Sequence, residues 1–233
     1  MAIVVSALSQ GLLWSVLAVG VYLSYRFLNI SDLTSEGSFT LGAAVCASNI
    51  VRGTDPLLSC LLALLAGALA GLVTGVLHTK FKMPSLLAGI LSMTGLYSVN
   101  LRIMGKANIP LTQSVTLLTK LKNVLGLTRD RDRDAAIYLG LIVIVILIVL
   151  LVWFFNTEFG FSVVATGNND KMIRANGVDS DKTIIAGLML SNALIALSGS
   201  LVAQYNGYAD VTMGIGAIVV GLASVIIGEV LFK

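Results

Sequence analysis

Charge is what this chain has least of. Of its 233 residues only 12% are Asp, Glu, Lys or Arg, against 57% apolar, and the mean hydropathy is +0.94. Such a composition cannot furnish the polar surface of a water-soluble globule. The net charge is only +3 and the basic residues fall between the apolar runs, which excludes an extended nucleic-acid interface. Histidine occurs once and cysteine twice. No His, Cys or acid constellation recurs at metal or nucleophile spacing, so a membrane-embedded enzyme is disfavoured and no resident cofactor or metal is expected. Cys46 and Cys60 lie in apolar stretches and read as small lipid- or helix-facing residues, not as a disulfide or metal site. His78, in the basic turn His78-Thr-Lys-Phe-Lys-Met-Pro84, reads as a surface residue. The first residues, Met1-Ala-Ile-Val-Val-Ser6, lack the positive region of a cleaved signal peptide, so their apolar run is read as a retained span. A Gly-x-x-x-x-Gly-Lys-Ser/Thr phosphate loop is missing, which excludes ATP hydrolysis by that route.

What the chain does hold is a series of long apolar runs, each a candidate membrane-crossing helix. They cover residues 6–25, 57–77, 85–104, 135–155 and 183–203, and a last apolar segment follows at 213–232. Residues 39–51 form a shorter run rich in small side chains, read as a helix buried among others or one with an unwound start. Gly67 and Gly71 form a Gly-x-x-x-Gly pair that lets a second helix approach closely, and 23 glycines against three prolines suit such packing. The expected fold class is all-α: a polytopic transmembrane helical bundle with broken or short helices, in one domain over residues 1–233.

Residues 105–134 are the long hydrophilic loop. Within it Leu111, Val115, Leu118, Leu121 and Leu125 recur at three and four residues and predict an amphipathic helix. Arg129-Asp-Arg-Asp-Arg-Asp134 alternates in sign and reads as a solvated helix start. Arg26, the Lys80/Lys82 turn and the Lys171/Arg174/Lys182 stretch can all lie in the cytoplasm if the N-terminus is outside. The 105–134 loop then falls outside, despite its own basic residues.

The polar stretch at 161–182 stands between two apolar runs. Asn168 and Asn169 are suited to cap a helix start, and Asp170 in the first turn suits its dipole. Lys171-Met-Ile-Arg-Ala-Asn176 gives about two turns, and Gly177 is a natural left-handed stop. Met172, Ile173 and Ala175 are expected to expose apolar surface beside Arg174. So short a helix needs a partner surface or the membrane face to hold it.

Ala165-Thr-Gly-Asn-Asn-Asp-Lys-Met-Ile-Arg-Ala-Asn-Gly-Val178, followed by Gly187-Leu-Met-Leu-Ser-Asn-Ala-Leu-Ile-Ala-Leu-Ser-Gly-Ser200, resembles the permease subunits of bacterial ATP-binding-cassette (ABC) importers. The branch is the one serving branched-chain amino acids and ribose. The stretch from Asp32 to Val45 resembles that family's early signature. Tyr208-Ala-Asp-Val-Thr-Met-Gly-Ile-Gly216 and Gly221-Leu-Ala-Ser-Val-Ile-Ile-Gly-Glu229 resemble its tryptophan/tyrosine-type members. The resemblance implies that residues 156–182 form a cytoplasmic coupling loop docking on an ATPase subunit, through Thr166, Gly167, Asn168, Asn169, Asp170, Met172, Ile173, Arg174 and Gly177. It also implies a second permease subunit, an extracytoplasmic binding protein, a place in the bacterial cytoplasmic membrane, and ATP with Mg on the partner ATPase only. Members of the family continue through further spans, so C-terminal helices are expected beyond Lys233.

Two polar interruptions resemble each other: Asn29-Ile-Ser-Asp-Leu-Thr34 and Asn206-Gly-Tyr-Ala-Asp-Val-Thr212, each before a Gly/Ala-rich helix. Paired interruptions in corresponding segments point to a transport path. Asp32, Thr34, Glu36, Ser38, Asp210 and Thr212 are the candidate path residues. For Asp32, Glu36 and Asp210 the alternative is a helix cap at the membrane surface, and for Glu229 a place at the cytoplasmic end near Lys233. Ser191 and Asn192 are read as hydrogen-bonding between helices. The expected function is import of an amino acid, aromatic or otherwise, or a similar small solute by alternating access driven by a separate ATPase. The alternative is an ion-coupled secondary carrier.

Overall fold

The computed structural model describes residues 2–125 and 132–231. Five of its helices are long and apolar enough to cross a membrane, over Val4–Phe27, Pro56–Thr79, Ser85–Met104, Asp134–Phe155 and Ser180–Asn206. The first is α1 (Ala2–Tyr22) widened at its end by a π turn (Leu23–Phe27), closed by Leu28 N–H donating to Leu23 O at 3.2 Å. Next come α2 (Thr34–Val51), α3 (Pro56–Thr79) and α4 (Ser85–Met104). The chain then runs through β1 (Asn108–Pro110), α5 (Leu117–Leu125), α6 (Asp132–Phe155), α7 (Glu158–Asn168) and α8 (Asp170–Ala175). It finishes with α9 (Ser180–Asn206), β2 (Tyr208–Asp210) and the shorter apolar α10 (Ala217–Leu231).

The centre of the bundle is α9, which packs against α1, α2 and α3. Glycine permits that contact. A Cβ at Gly67 or Gly71 of α3 would collide with the α9 backbone, and one at Gly42 of α2 with the Ala196 carbonyl. The Gly67/Gly71 pair therefore does what its spacing predicts. Helix α2 is no ordinary span: fourteen of its eighteen residues are buried. As expected for the 39–51 run, it lies among other helices behind a non-helical entry, but it starts earlier, at Thr34.

Two expectations need correction. The amphipathic helix begins only at Leu117. Leu111 instead follows a two-stranded ribbon in which β1 and β2 pair antiparallel, Asn108 opposite Asp210, and Leu111 N–H donates to Gly207 O at 2.7 Å. Strands of three residues, one of them ending in proline, leave no alternation to read. Second, the polar stretch before residue 169 is not a loop. Thr157 caps a further helix, α7, by accepting from Gly160 N–H at 3.1 Å. The alternating run does open a helix, as expected: α6 begins at Asp132, and residues 129–131 of the run lie outside the described residues.

The polar connections sort to two ends. One carries the π turn, the α3–α4 turn, α7, α8 and the close of α10; Arg26 meets Glu229 there at 2.9 Å and Lys80 meets Asp181 at 3.8 Å. The other carries the ribbon, α5 and the α2–α3 turn, with an ion pair between Lys120 and Asp55. The basic clusters at 26, 80–82 and 171–182 share one end, opposite the 105–134 loop, as the charge pattern anticipates.

Candidate functional site

Helix α8 is built as its sequence dictates. Asn169 adopts an extended backbone and its side-chain oxygen accepts from Met172 N–H at 3.1 Å. At the other end Gly177 takes φ +84°, Gly177 N–H donates to Arg174 O at 3.0 Å, and Val178 N–H donates to Ile173 O at 3.2 Å. These are the two bonds of a Schellman stop, which need a left-handed residue and so favour glycine. Arg174 ties the helix sideways, with Nε 3.1 Å from Asp170 and Nη2 2.7 Å from Asp181 on α9. Asp170 titrates below the usual carboxylate range, held there by the neighbouring Ser180 hydroxyl and by Arg174. The Arg174 pair is the better formed, since the buried Ser180 Oγ falls outside hydrogen-bond geometry. Arg174 itself titrates above its usual range, because Asp170 and then Asp181 accept from it.

The residues that the resemblance assigns to docking divide by exposure into two sets. Thr166, Gly167 and Ile173 face inward. The Thr166 hydroxyl meets that of Thr183 at 2.8 Å, and a Cβ on Gly167 would collide with the Phe27 carbonyl of the π turn. Ile173, expected at the surface, is only 7% exposed, because one side of so short a helix must pack on α7 and α9 to be held. Asn168, Asn169, Met172 and Arg174 are exposed, as are Lys171 and Ala175, while Asp170 is half-buried. With the Arg174 guanidinium held between two carboxylates, Met172 and Ala175 are the apolar side chains that α8 leaves exposed.

Deeper in the bundle lies a polar seam. Asp32 is the only buried carboxylate or basic group among the described residues. Its Oδ1 accepts from Thr34 N–H at 2.9 Å and its Oδ2 from the Asn192 amide at 2.6 Å. Ser38 donates to the Asn192 oxygen at 2.7 Å, and Ser191 donates to Gly20 O at 2.7 Å, so both α9 residues join helices as expected. The Thr34, Thr74 and Ser92 hydroxyls continue the seam into α3 and α4 in two steps of 2.8 Å. Asn192 lies twelve residues into α9, or about 18 Å from its start at 1.5 Å per residue. Asp32 is thus not a surface cap, although it also caps the start of α2.

Glu36 stands apart from the seam, half-buried, with Oε1 accepting from Gly216 N–H at 2.9 Å. Asp210 and Thr212 are at the ribbon end, where Asp210 accepts from Thr212 N–H at 2.8 Å. The two interruptions share that carboxylate-to-Thr turn at Asp32 and Asp210, one inside the bundle and one at its surface. They do not converge on one site.

A family model described as a branched-chain amino acid transport system / permease component matches residues 3–231. The chain belongs to that permease family. It is accordingly a multi-pass protein of the bacterial cytoplasmic membrane and a component of a transport system. The permease is 44% identical over 230 residues to a tyrosine transport system permease protein of Clostridioides difficile (strain R20291), covering 99% of this chain and 74% of that one. It is 38% identical over 232 residues to an uncharacterised protein of Rickettsia prowazekii (strain Madrid E), covering all of this chain and 79% of the other. A more distant relative, an autoinducer 2 import system permease protein of Yersinia pseudotuberculosis (serotype O:3, strain YPIII), is 30% identical over 221 residues, 92% of this chain and 58% of its own. No solved structure matches the permease.

Sequence reasoning misses Thr74, Ser92 and Asn100 of this permease. Each is a small polar residue in an apolar span, which composition reads as tolerated; only the register of α3 and α4 against α2 sets Thr74 against Ser92 and Asn100 against Gly37 O.

Proposed function

We propose that the permease is the membrane-spanning subunit of an ABC importer that carries an amino acid, with an aromatic one such as tyrosine the leading candidate, into the cell. A separate ATPase drives it by acting on α8. The observation that carries this reading is the construction of α8: capped at both ends, anchored by Ile173 and Arg174, and offering Met172 and Ala175 outward. The tyrosine permease among its relatives supports the solute class. Clustering of Arg26, Lys80 and Arg174 at one end supports a cytoplasmic place for α8. A second permease subunit, a pair of ATPases holding ATP and Mg, and an extracytoplasmic binding protein complete the assembly.

The coupling follows from the contacts. ATP-driven closure of the ATPases displaces α8, and the movement passes along Arg174–Asp181 and Thr166–Thr183 into α9, and through Gly167 against Phe27 into α1. A bundle loaded at these points switches as a rigid body between inward- and outward-open forms.

The test is co-expression with the neighbouring ATPase gene, followed by co-purification and ATP-dependent uptake of L-tyrosine. Arg174→Glu with Met172→Asp should abolish both; a double variant that still assembles and transports rejects α8 as the docking element. A second reading, an ion-coupled carrier, is favoured only by the buried carboxylate of Asp32. It predicts uptake that persists without ATP and stops when the proton or sodium gradient is collapsed.

A further inference from the structure

We propose that a cleft between α2, α4 and the turn before α10 takes the ammonium group of an amphipathic solute, between the Glu36 carboxylate and the side-chain oxygen of Asn100. The solute's apolar or aromatic body lies against Met93, Tyr97 and Ile215. This rests on the reading of the chain as an amino-acid permease, and it names the part of the solute that the bundle itself recognises.

The cleft has a volume of about 260 Å³. It sits deep: Gly37, next to Glu36, packs without room for a side chain against Met93 and Leu96, halfway along α4. An ionisable group at such a depth is costly unless it serves a path or a ligand. Glu36 uses Oε1 to accept from Gly216 N–H, and its second oxygen receives no hydrogen bond from any described residue. Asn100 is 1% exposed. Its amide nitrogen donates to Gly37 O at 3.2 Å, and since a carbonyl only accepts, the orientation of the side chain is settled. That leaves the Asn100 oxygen buried and without a partner. Unsatisfied buried acceptors are costly and rare without a ligand or water to explain them.

The chemistry of the lining selects the solute. Both free atoms are acceptors, and an ammonium offers three donors. Among the described residues no lysine or arginine lines the cleft, so none of them there matches the charge of a carboxylate. The neighbouring hydroxyls are committed: Thr40 donates to Glu36 O and accepts from Gly214 N–H, and Thr94 donates back to its own helix. Tyr97, half exposed, supplies an aromatic face, which attracts cations and stacks on rings.

The probes are L-tyrosine, tyramine (amine without carboxylate) and 3-(4-hydroxyphenyl)propionate (carboxylate without amine), titrated calorimetrically into the intact detergent-purified chain. Tyramine and L-tyrosine should bind and the propionate should not. Glu36→Gln keeps the acceptor for Gly216 and should weaken both amines at least tenfold with an unchanged melting temperature. Asn100→Leu should weaken them by a smaller factor. Propionate binding like tyramine, or Glu36→Gln binding tyramine like the unaltered chain, overturns the assignment. If none of the three binds while the assembled transporter takes up L-tyrosine with ATP, the cleft assignment falls and the proposed function stands. If tyramine binds with the Glu36 dependence but no amino acid is taken up with ATP, the proposed function falls instead.

Discussion

The side chain of Asn192 donates to Asp32 at 2.6 Å and accepts from Ser38 at 2.7 Å, so one amide on α9 fixes both the entry and the second turn of α2. Asn192→Leu removes both bonds and leaves a buried carboxylate without its partner. The expected loss is at least ~2 kcal/mol, because a charged group left unsatisfied costs more than a neutral one. Thermal unfolding of the detergent-purified permease measures it. Asp32→Asn keeps a neutral acceptor for Thr34 and should cost less, and equal losses would contradict this ordering.

Gly167 has no space for a methyl group, since its Cβ would meet the Phe27 carbonyl. Gly167→Ala should destabilise by about 1–3 kcal/mol as α7 is pushed from the π turn. ATP-driven uptake should fall further than the loss of folded protein explains, which quantitative immunoblotting beside uptake assays will separate.

Loss of the α8 cap is a milder change. Asn169→Ala removes the acceptor for Met172 N–H and costs about 1 kcal/mol of helix stability. The permease should stay folded, with faster amide exchange confined to 170–175 and weaker ATPase co-purification.

The Asp170–Arg174 pair sets the pH range of α8. Asp170 titrates lower in the folded chain than when unfolded, so its contribution is complete above the ordinary aspartate value of about 3.9. It is lost as pH falls through the lowered folded value. Amide protection of α8 should be flat from neutral pH down to about 5 and drop only well below the ordinary carboxylate range. Because the pair is exposed, added salt should weaken it at every pH. A drop centred near neutrality would assign protection to another group.

Cys46 and Cys60 are free, buried thiols, both accepting from the Gln204 amide, at 3.3 and 3.1 Å. Neither should react with a maleimide in the folded permease, and both should react after unfolding. Mass spectrometry of the labelled chain decides this.

Much of this bundle is legible in one dimension because membrane helices advertise themselves by composition. The apolar runs at 57–77 and 135–155 each fall inside a helix, and Asn169 and Gly177 delimit α8 because caps are chemical requirements of single positions. Helix α7 is not legible: the positions it buries, Gly160, Val163 and Thr166, include a glycine and a threonine that make no apolar stripe, and Thr157 announces it only weakly. Ile173 looks exposed in sequence because nothing local reveals that α9 passes beneath it. The same holds for Glu36 and Asn100, whose meaning depends on the register of α4 against α2. Local chemistry is readable from the chain; which local groups become neighbours is decided by close packing at Gly37 and Gly42.

The contact of α3 and α2 with α9 through bare backbone has a mechanical consequence. Surfaces joined by side chains can slide by changing rotamers, but a glycine pressed on a carbonyl has no rotamer to change. These three helices therefore form the stiff spine of the permease, and any opening has to occur around it. The compliant parts are α4 and α10, which carry exposed Leu91, Val219 and Ile226. A cross-link that staples α4 to α10 would stall the molecule, whereas one that staples α3 to α9 would leave it running.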